Sequence, residues 1–284
     1  MAALLALASA VCYGVVDFAG GILSRRLPFL TVTVLGQFGG LLCAVIAAFL
    51  IPAPSVDPAD LSWGALSGIG SGLAMLWLNR GLSRGAMSVV VPISAVTSVA
   101  LSVLAGVLVL GDRPSPLAWV GIAVAAPALW LVSGGRSAAP RRTGRSAPTG
   151  AGSGARDGLL ASVAVAVQYL ALAQAGTSSG VWPVAAGRAA AVVVLLPVAG
   201  RSLRVPSPVR GAQALAIGAG AALGLVLYLL AAQRQMLAVV VVLASLYPVL
   251  PVVLGIRLLH ERVDRRRAAG LVGTLAATVL LALG

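Results

Sequence analysis

Two charged side chains stand inside long apolar runs of this chain: Asp17, within Tyr13 to Arg26 (YGVVDFAGGILSRR), and Arg188, within Val181 to Ala199. An ionised carboxylate in hydrocarbon costs about 2.5 to 3.5 kcal/mol on insertion scales, so such a group faces protein or water and is read first as functional. Asp17 precedes Arg25 by eight residues, about 12 Å of helix. With Arg25 and Arg26 at a membrane interface, that places the carboxylate near the bilayer midplane. A carboxyl group there exchanges its proton as its access to water changes, which is the chemistry of a proton-coupled carrier; a structural carboxylate capped by a neighbouring helix is the alternative. The Arg188 guanidinium stays protonated and needs an anion. Asp17 is the only acid within a span, so Arg188 either pairs with Asp17 or holds a substrate carboxylate.

Neutral polar residues extend this constellation. Tyr13 lies one helical turn before Asp17, Gln37 is midway through the next apolar run, and Gln168, Tyr169 and Tyr247 sit inside later ones. With Arg188 they form a candidate substrate-binding set, with Asp17 as the ion-coupling residue. The alternative for each neutral member is a hydrogen bond to a neighbouring backbone.

Elements that position these residues follow from composition. Of the 284 residues, 60% are hydrophobic and 10% charged, with mean hydropathy +1.03, too little polar material to surround a soluble core. Ten runs approach the roughly 20 residues a helix needs to cross a bilayer. They are Ala2 to Leu23, Phe29 to Ile51, Leu61 to Leu78, Ala86 to Leu110, Leu117 to Val132, Leu159 to Ala175, Val181 to Ala199, Gly211 to Ala232, Met236 to Leu259 and Ala268 to Gly284. The expected fold is an all-α membrane protein of ten transmembrane helices. Residues 134–156, rich in Gly, Ser, Pro and Arg, read as a flexible linker between a five-helix unit at 1–133 and a second at 157–284.

The two units share a pattern. A shift of 149 positions superposes LGDRPSPLAWVG on LHERVDRRRAAG, and pairs Asp112 with Glu261, Gly121 with Gly270 and Gly106 with Gly255. A shift of 150 pairs Gly68 with Gly218, Gly70 with Gly220 and Arg84 with Arg234; a shift of 151 lays LGQ, ending at Gln37, on AGR, ending at Arg188. Near-constant offsets across several spans indicate an internal repeat, and a repeat with an odd number of spans inserts upside down relative to its twin. The arginines agree. With both termini outside, seventeen fall in or beside cytoplasmic loops and two, Arg113 and Arg234, outside, a positive-inside bias.

This architecture resembles the EamA branch of the drug/metabolite transporter superfamily. The resemblance is carried by YGVVDFAGG, by the LGD and LHE segments and by the glycine nine residues after each. It implies two inverted five-helix repeats and a carrier for a small metabolite, often an exporter, working without ATP. Members of that superfamily are usually drawn with both termini in the cytoplasm, whereas the arginines here place them outside.

Other features bear on packing. Gly64, Gly68 and Gly72 form GxxxGxxxG, with Gly220 and Gly224 on a later span; Pro92, Pro248 and Pro251 free backbone carbonyls. Trp63, Trp77, Trp119 and Trp182 lie near span ends as interfacial anchors, and Asp112–Arg113 and Glu261–Arg262 read as loop ion pairs. The chain has no lysine and no phosphate-binding loop, its single histidine, His260, sits at a helix end, and Cys12 and Cys43 have no metal-ligand spacing. The expectation is a cell (inner) membrane exporter, not an enzyme, with no cofactor, no metal and no nucleic-acid partner. Its partners would be a small-molecule substrate, the bilayer and protons, as a monomer or weak homodimer. A lipid-carrier flippase and a non-transporting scaffold or sensor are the alternatives.

Overall fold

The computed structural model describes residues 2–105, 107, 115–133, 151–200, 203, 206–232, 247–260 and 263–283. Among these residues the chain is helical, without strands: α1 (Ala2–Arg26), α2 (Phe29–Leu50), α3 (Pro58–Arg84), α4 (Met87–Ala105), α5 (Pro116–Ser133), α6 (Ala151–Ala173), α7 (Trp182–Ala199), α8 (Pro208–Ala232), α9 (Val249–Leu258) and α10 (Arg265–Leu283). One helix falls on each expected span, although α6 starts eight residues earlier than Leu159, inside the stretch read as linker. Outside the described residues lie the ion pairs Asp112–Arg113 and Glu261–Arg262, Gly106, Arg201, Arg204, Arg234, most of the linker and the start of the ninth span.

By length and composition α1, α2, α3, α6, α7 and α8 are able to cross a membrane, and α4, α5 and α9 hold shorter apolar stretches. The chain is a multi-pass membrane protein. Helix starts are set by local chemistry. Asp57 accepts from the Ala59 N–H at 2.8 Å just ahead of Pro58, so a side-chain cap precedes a residue with no N–H to satisfy. Ser115 caps Leu117 at 3.1 Å and Asp264 caps Arg267 at 2.8 Å; these two caps are related by the 149-residue shift. His260 closes α9 in the left-handed region, φ +53°, a conformation that usually ends a helix.

Every described arginine except Arg188 lies at one end of the bundle. Arg25 donates to the carbonyls of Leu82 and Gly85, both at 3.1 Å, and so caps the last turn of α3. Arg80 approaches Asp157 at 3.6 Å, which joins the end of α3 to the start of α6, and stacks over Trp77 at 5.0 Å. Of the other interfacial tryptophans, Trp63 and Trp119 are exposed, whereas Trp182 meets Phe49 edge-on at 5.1 Å.

Several packing partners exchange when each helix is replaced by its counterpart five places on, whereas α1–α3, α2–α3, α4–α5 and α4–α10 have no counterpart of comparable extent among the described residues. The pair α3 and α6 corresponds to α8 and α1, α3 and α7 to α8 and α2, and α4 and α6 to α9 and α1; α2–α7, α5–α10 and α4–α9 map onto themselves. Glycines make the tightest of these crossings. A Cβ on Gly68 would collide with the Gly187 backbone in α7, and one on Gly64 with Pro183. In the matching crossing, a Cβ on Gly218 would collide with Gly36 in α2, and one on Gly39 with Leu215. Removing side chains lets backbones touch, which supplies dispersion where lipid offers no hydrophobic drive. Gly224 seats the Tyr13 ring, its Cβ position 3.2 Å from two ring carbons.

Candidate functional site

At the centre, α2 and α7 cross so that Gln37 and Arg188 meet. The guanidinium donates to the Gln37 Oε1 at 3.0 Å, and the Gln37 amide points at the Met75 sulfur at 3.5 Å. These are the two residues that the 151-residue shift equates, so the bond joins repeat-related positions at the point where the two halves would exchange. Both are buried, Gln37 completely and Arg188 to within 4% exposure. Gly40 lets the arginine stem pass: a Cβ there would stand 3.3 Å from its Cδ and Nε.

Asp17 faces the same region from α1. The sequence left open an Asp17–Arg188 ion pair. Among the described residues no such pair forms, and no hydrogen bond engages the carboxylate; the arginine's partner is a neutral amide. The physical reason is placement. Arg188 is held on the α2–α7 crossing by Gln37, whereas Asp17 projects among tyrosines. An acid and a guanidinium therefore share this region without pairing with each other. Buried charges are normally paired, and these have donors and acceptors left for a ligand.

Tyrosines fill the space between. The chain has four, and all converge here. Asp17, Tyr169, Arg188 and Tyr228 are near enough to act electrostatically on Tyr13, and Tyr247 is within reach of Asp17, Tyr13 and Tyr169. The Tyr13 and Tyr247 rings are 6.1 Å apart at 58°, within the range of favourable aromatic contact. Tyr247 occupies a turn with Pro248 just ahead of α9. Asp17, Tyr13, Tyr228 and Tyr247 are each half-buried and Tyr169 is 40% exposed. The Tyr13 hydroxyl is buried and has no hydrogen-bond partner among the described residues.

Of the seven residues picked from the sequence, Tyr13, Asp17, Gln37, Tyr169, Arg188 and Tyr247 are brought together. Gln168 is buried where α6 meets Gly70 of α3. Sequence reasoning passed over Tyr228, although its residue type and mid-helix position are those of the tyrosines it did select. It also passed over Asn79, a buried amide that donates to Thr33 at 3.0 Å and lies against Gly20 of α1; an amide inside an apolar helix was its visible signal.

Comparison with known proteins points to a family. Residues 1–134 match the sequence model of the EamA-like transporter family. These residues are similar to the EamA-like transporters, a family within the drug/metabolite transporter superfamily. A solved crystal structure of a protein shares the fold of this EamA-like chain at TM-score 0.62 and 14% identity, covering 98% of this chain and 95% of the other. No curated protein matches the chain. The matched family is one of membrane transporters, and the match suggests a transporter of the drug/metabolite type.

Proposed function

We propose that the protein is a secondary-active exporter of a small metabolite that carries a carboxylate and an amino group or other cation. It works by alternating access between two inverted five-helix repeats in the cell membrane, as a monomer or weak homodimer. One observation carries this reading: Arg188 and Asp17, not paired with one another, gather with four tyrosines where α2 and α7 cross. Arg188 holds the substrate carboxylate, Gln37 orients the guanidinium, Asp17 receives the cationic group or a proton, and the tyrosines close around the rest. Exchanging helix partners, equivalent glycine crossings and repeated helix caps support the inverted repeat, because a pseudo-two-fold fold puts the site at the repeat interface.

A flux measurement in proteoliposomes tests the reading. With a pH gradient imposed, uptake of a labelled amino-acid mixture is expected to be saturable and gradient-driven, and Asp17→Asn to remove the dependence on the gradient. Arg188→Gln is expected to weaken apparent affinity about tenfold or more, the loss of one charge-assisted contact. Flux that is unsaturable, or unchanged in both variants, sinks the proposal. The flippase reading keeps one supporting observation, an apolar cavity of about 170 Å³ between α4, α9 and α10. Its rim includes exposed Val253 and Val272, so it opens towards acyl chains.

A further inference from the structure

At the arginine-poor end of the bundle, the loop before α3 and the loop before α7 are tied together by polar bonds that the central site does not use. Asp60, in the first turn of α3, accepts from the Gly176 N–H at 2.7 Å and from the Ser179 hydroxyl at 2.6 Å. Ser179 in turn accepts from the Asp57 N–H at 3.1 Å, and the Ser55 N–H donates to the Ser178 carbonyl at 3.3 Å. Asp60 is 8% exposed and Ser179 fully buried, so the bonds are sheltered from water. One partner in each bond comes from the first half of the chain and the other from the second.

These loops frame a vestibule of about 460 Å³ whose walls include Ile51, Thr177, Gly180, Val181 and Leu229. Beneath it lies an apolar plug. Val181, Ala185 and Leu225 belong to one buried cluster, and Tyr13 of the central site packs against it. Val181, Ala185 and Arg188 follow one another at helical spacing along one face of α7, so Ala185 of the plug stands between the vestibule wall and the guanidinium.

The opposite end is tied differently, by the approach of Arg80 to Asp157 across the two halves at 3.6 Å. The shift of 150 places Arg210 where Asp60 stands, and the shift of 151 places Arg25 to Pro28 where Gly176 to Ser179 stand. Arg210 is exposed, and cations in both positions repel rather than bind.

We infer that Asp60 and Ser179 form a releasable latch, which holds the arginine-poor mouth of the transport path shut over the plug and must break for substrate to pass. The inference rests on the carrier reading above. Release costs a few hydrogen bonds between two loops and leaves the glycine crossings intact, so the mouth opens without unpacking the bundle.

Accessibility tests it separately from transport. In a background of Cys12→Ala and Cys43→Ala, Ala185→Cys reports on the plug, probed with a membrane-impermeant maleimide added from the arginine-poor side of oriented vesicles. Asp60→Ala is expected to speed labelling about tenfold, the loss of two bonds to a carboxylate. Ser179→Ala and Asp60→Asn, which keep the loop's shape, are expected to speed it severalfold. Unchanged labelling in these two mild variants overturns the latch, even where flux is normal. Faster labelling with no flux in any variant upholds the latch and sinks the carrier.

Discussion

The two glycine crossings, α3 on α7 and α8 on α2, are alike; the two ends of the bundle are not. In the crossings, Gly68 lies on Gly187 and Gly218 on Gly36, residues that the internal shifts equate pairwise. At the ends, Asp60 bonds a loop that presents an N–H and a hydroxyl, while the sequence shifts put the exposed Arg210 and Arg25–Arg26 in the corresponding places. Backbone contact in lipid depends on shape, which each half must supply to make the same crossing. Charge at the ends is set instead by which face of the membrane each loop meets. The two ends thus differ where the two crossings agree: one mouth is tied through Asp60 and Ser179, the other through Arg80 and Asp157.

The largest expected effect breaks the likeness. Gly68→Val and Gly218→Val each force a side chain into backbone, and overpacking costs typically about 1 to 3 kcal/mol, more when neither side yields. Both are expected to lower the melting temperature in detergent by similar large amounts or to prevent folding. Gly211→Ala, where only the Pro206 ring lies within reach at 3.6 Å, is expected to leave it unchanged. A large loss at one crossing and none at the other would mean that the crossings are not equivalent.

Next comes the axis between them. Gln37→Leu leaves the Arg188 guanidinium without its acceptor, about 1 to 3 kcal/mol or somewhat more for a charged group, read as lower thermal stability. Gln37→Glu is expected to raise stability and abolish flux, because an internal carboxylate then occupies the arginine. Should Gln37→Glu transport normally, Arg188 does not hold the substrate.

A smaller effect sharpens the difference between the ends. Asp60 stands just ahead of the apolar run that begins at Leu61. There its carboxylate accepts from the Gly176 N–H and the Ser179 hydroxyl. Asp60→Ala is therefore expected to lower the melting temperature in detergent, by about 1 to 3 kcal/mol in stability, and Arg210→Ala at the other end to leave it unchanged. Smallest is Asn79→Ala, which removes a buried bond to Thr33 and is expected to cost about 1 kcal/mol in unfolding with flux retained.

The apolar runs gave away the helices, because a span of given thickness needs a fixed length of hydrophobic chain, and Asp17 and Arg188 stood out because hydrocarbon tolerates so few charges. Partnership was less legible. Sequence spacing showed Gly64, Gly68 and Gly72 on one face but not that α7 lies on that face. Pairing Arg188 with Asp17 followed from counting charges, whereas the fold answers the arginine with Gln37, a neutral group that counting overlooks. Asp60 went unremarked for a related reason. At the edge of a span it reads as a solvated end charge, and its burial depends on a loop more than a hundred residues away.

The central claim is that two inverted halves meet at the Gln37–Arg188 crossing, and the membrane sidedness of the chain tests it most directly. Single cysteines at Ala3, at Ser146 of the linker and at Ala282 are labelled with an impermeant reagent from each side of oriented vesicles. The account predicts that Ala3→Cys and Ala282→Cys react from the outer side and Ser146→Cys only from the cytoplasmic side. Ends on opposite faces, or a linker on the same face as both ends, would contradict it.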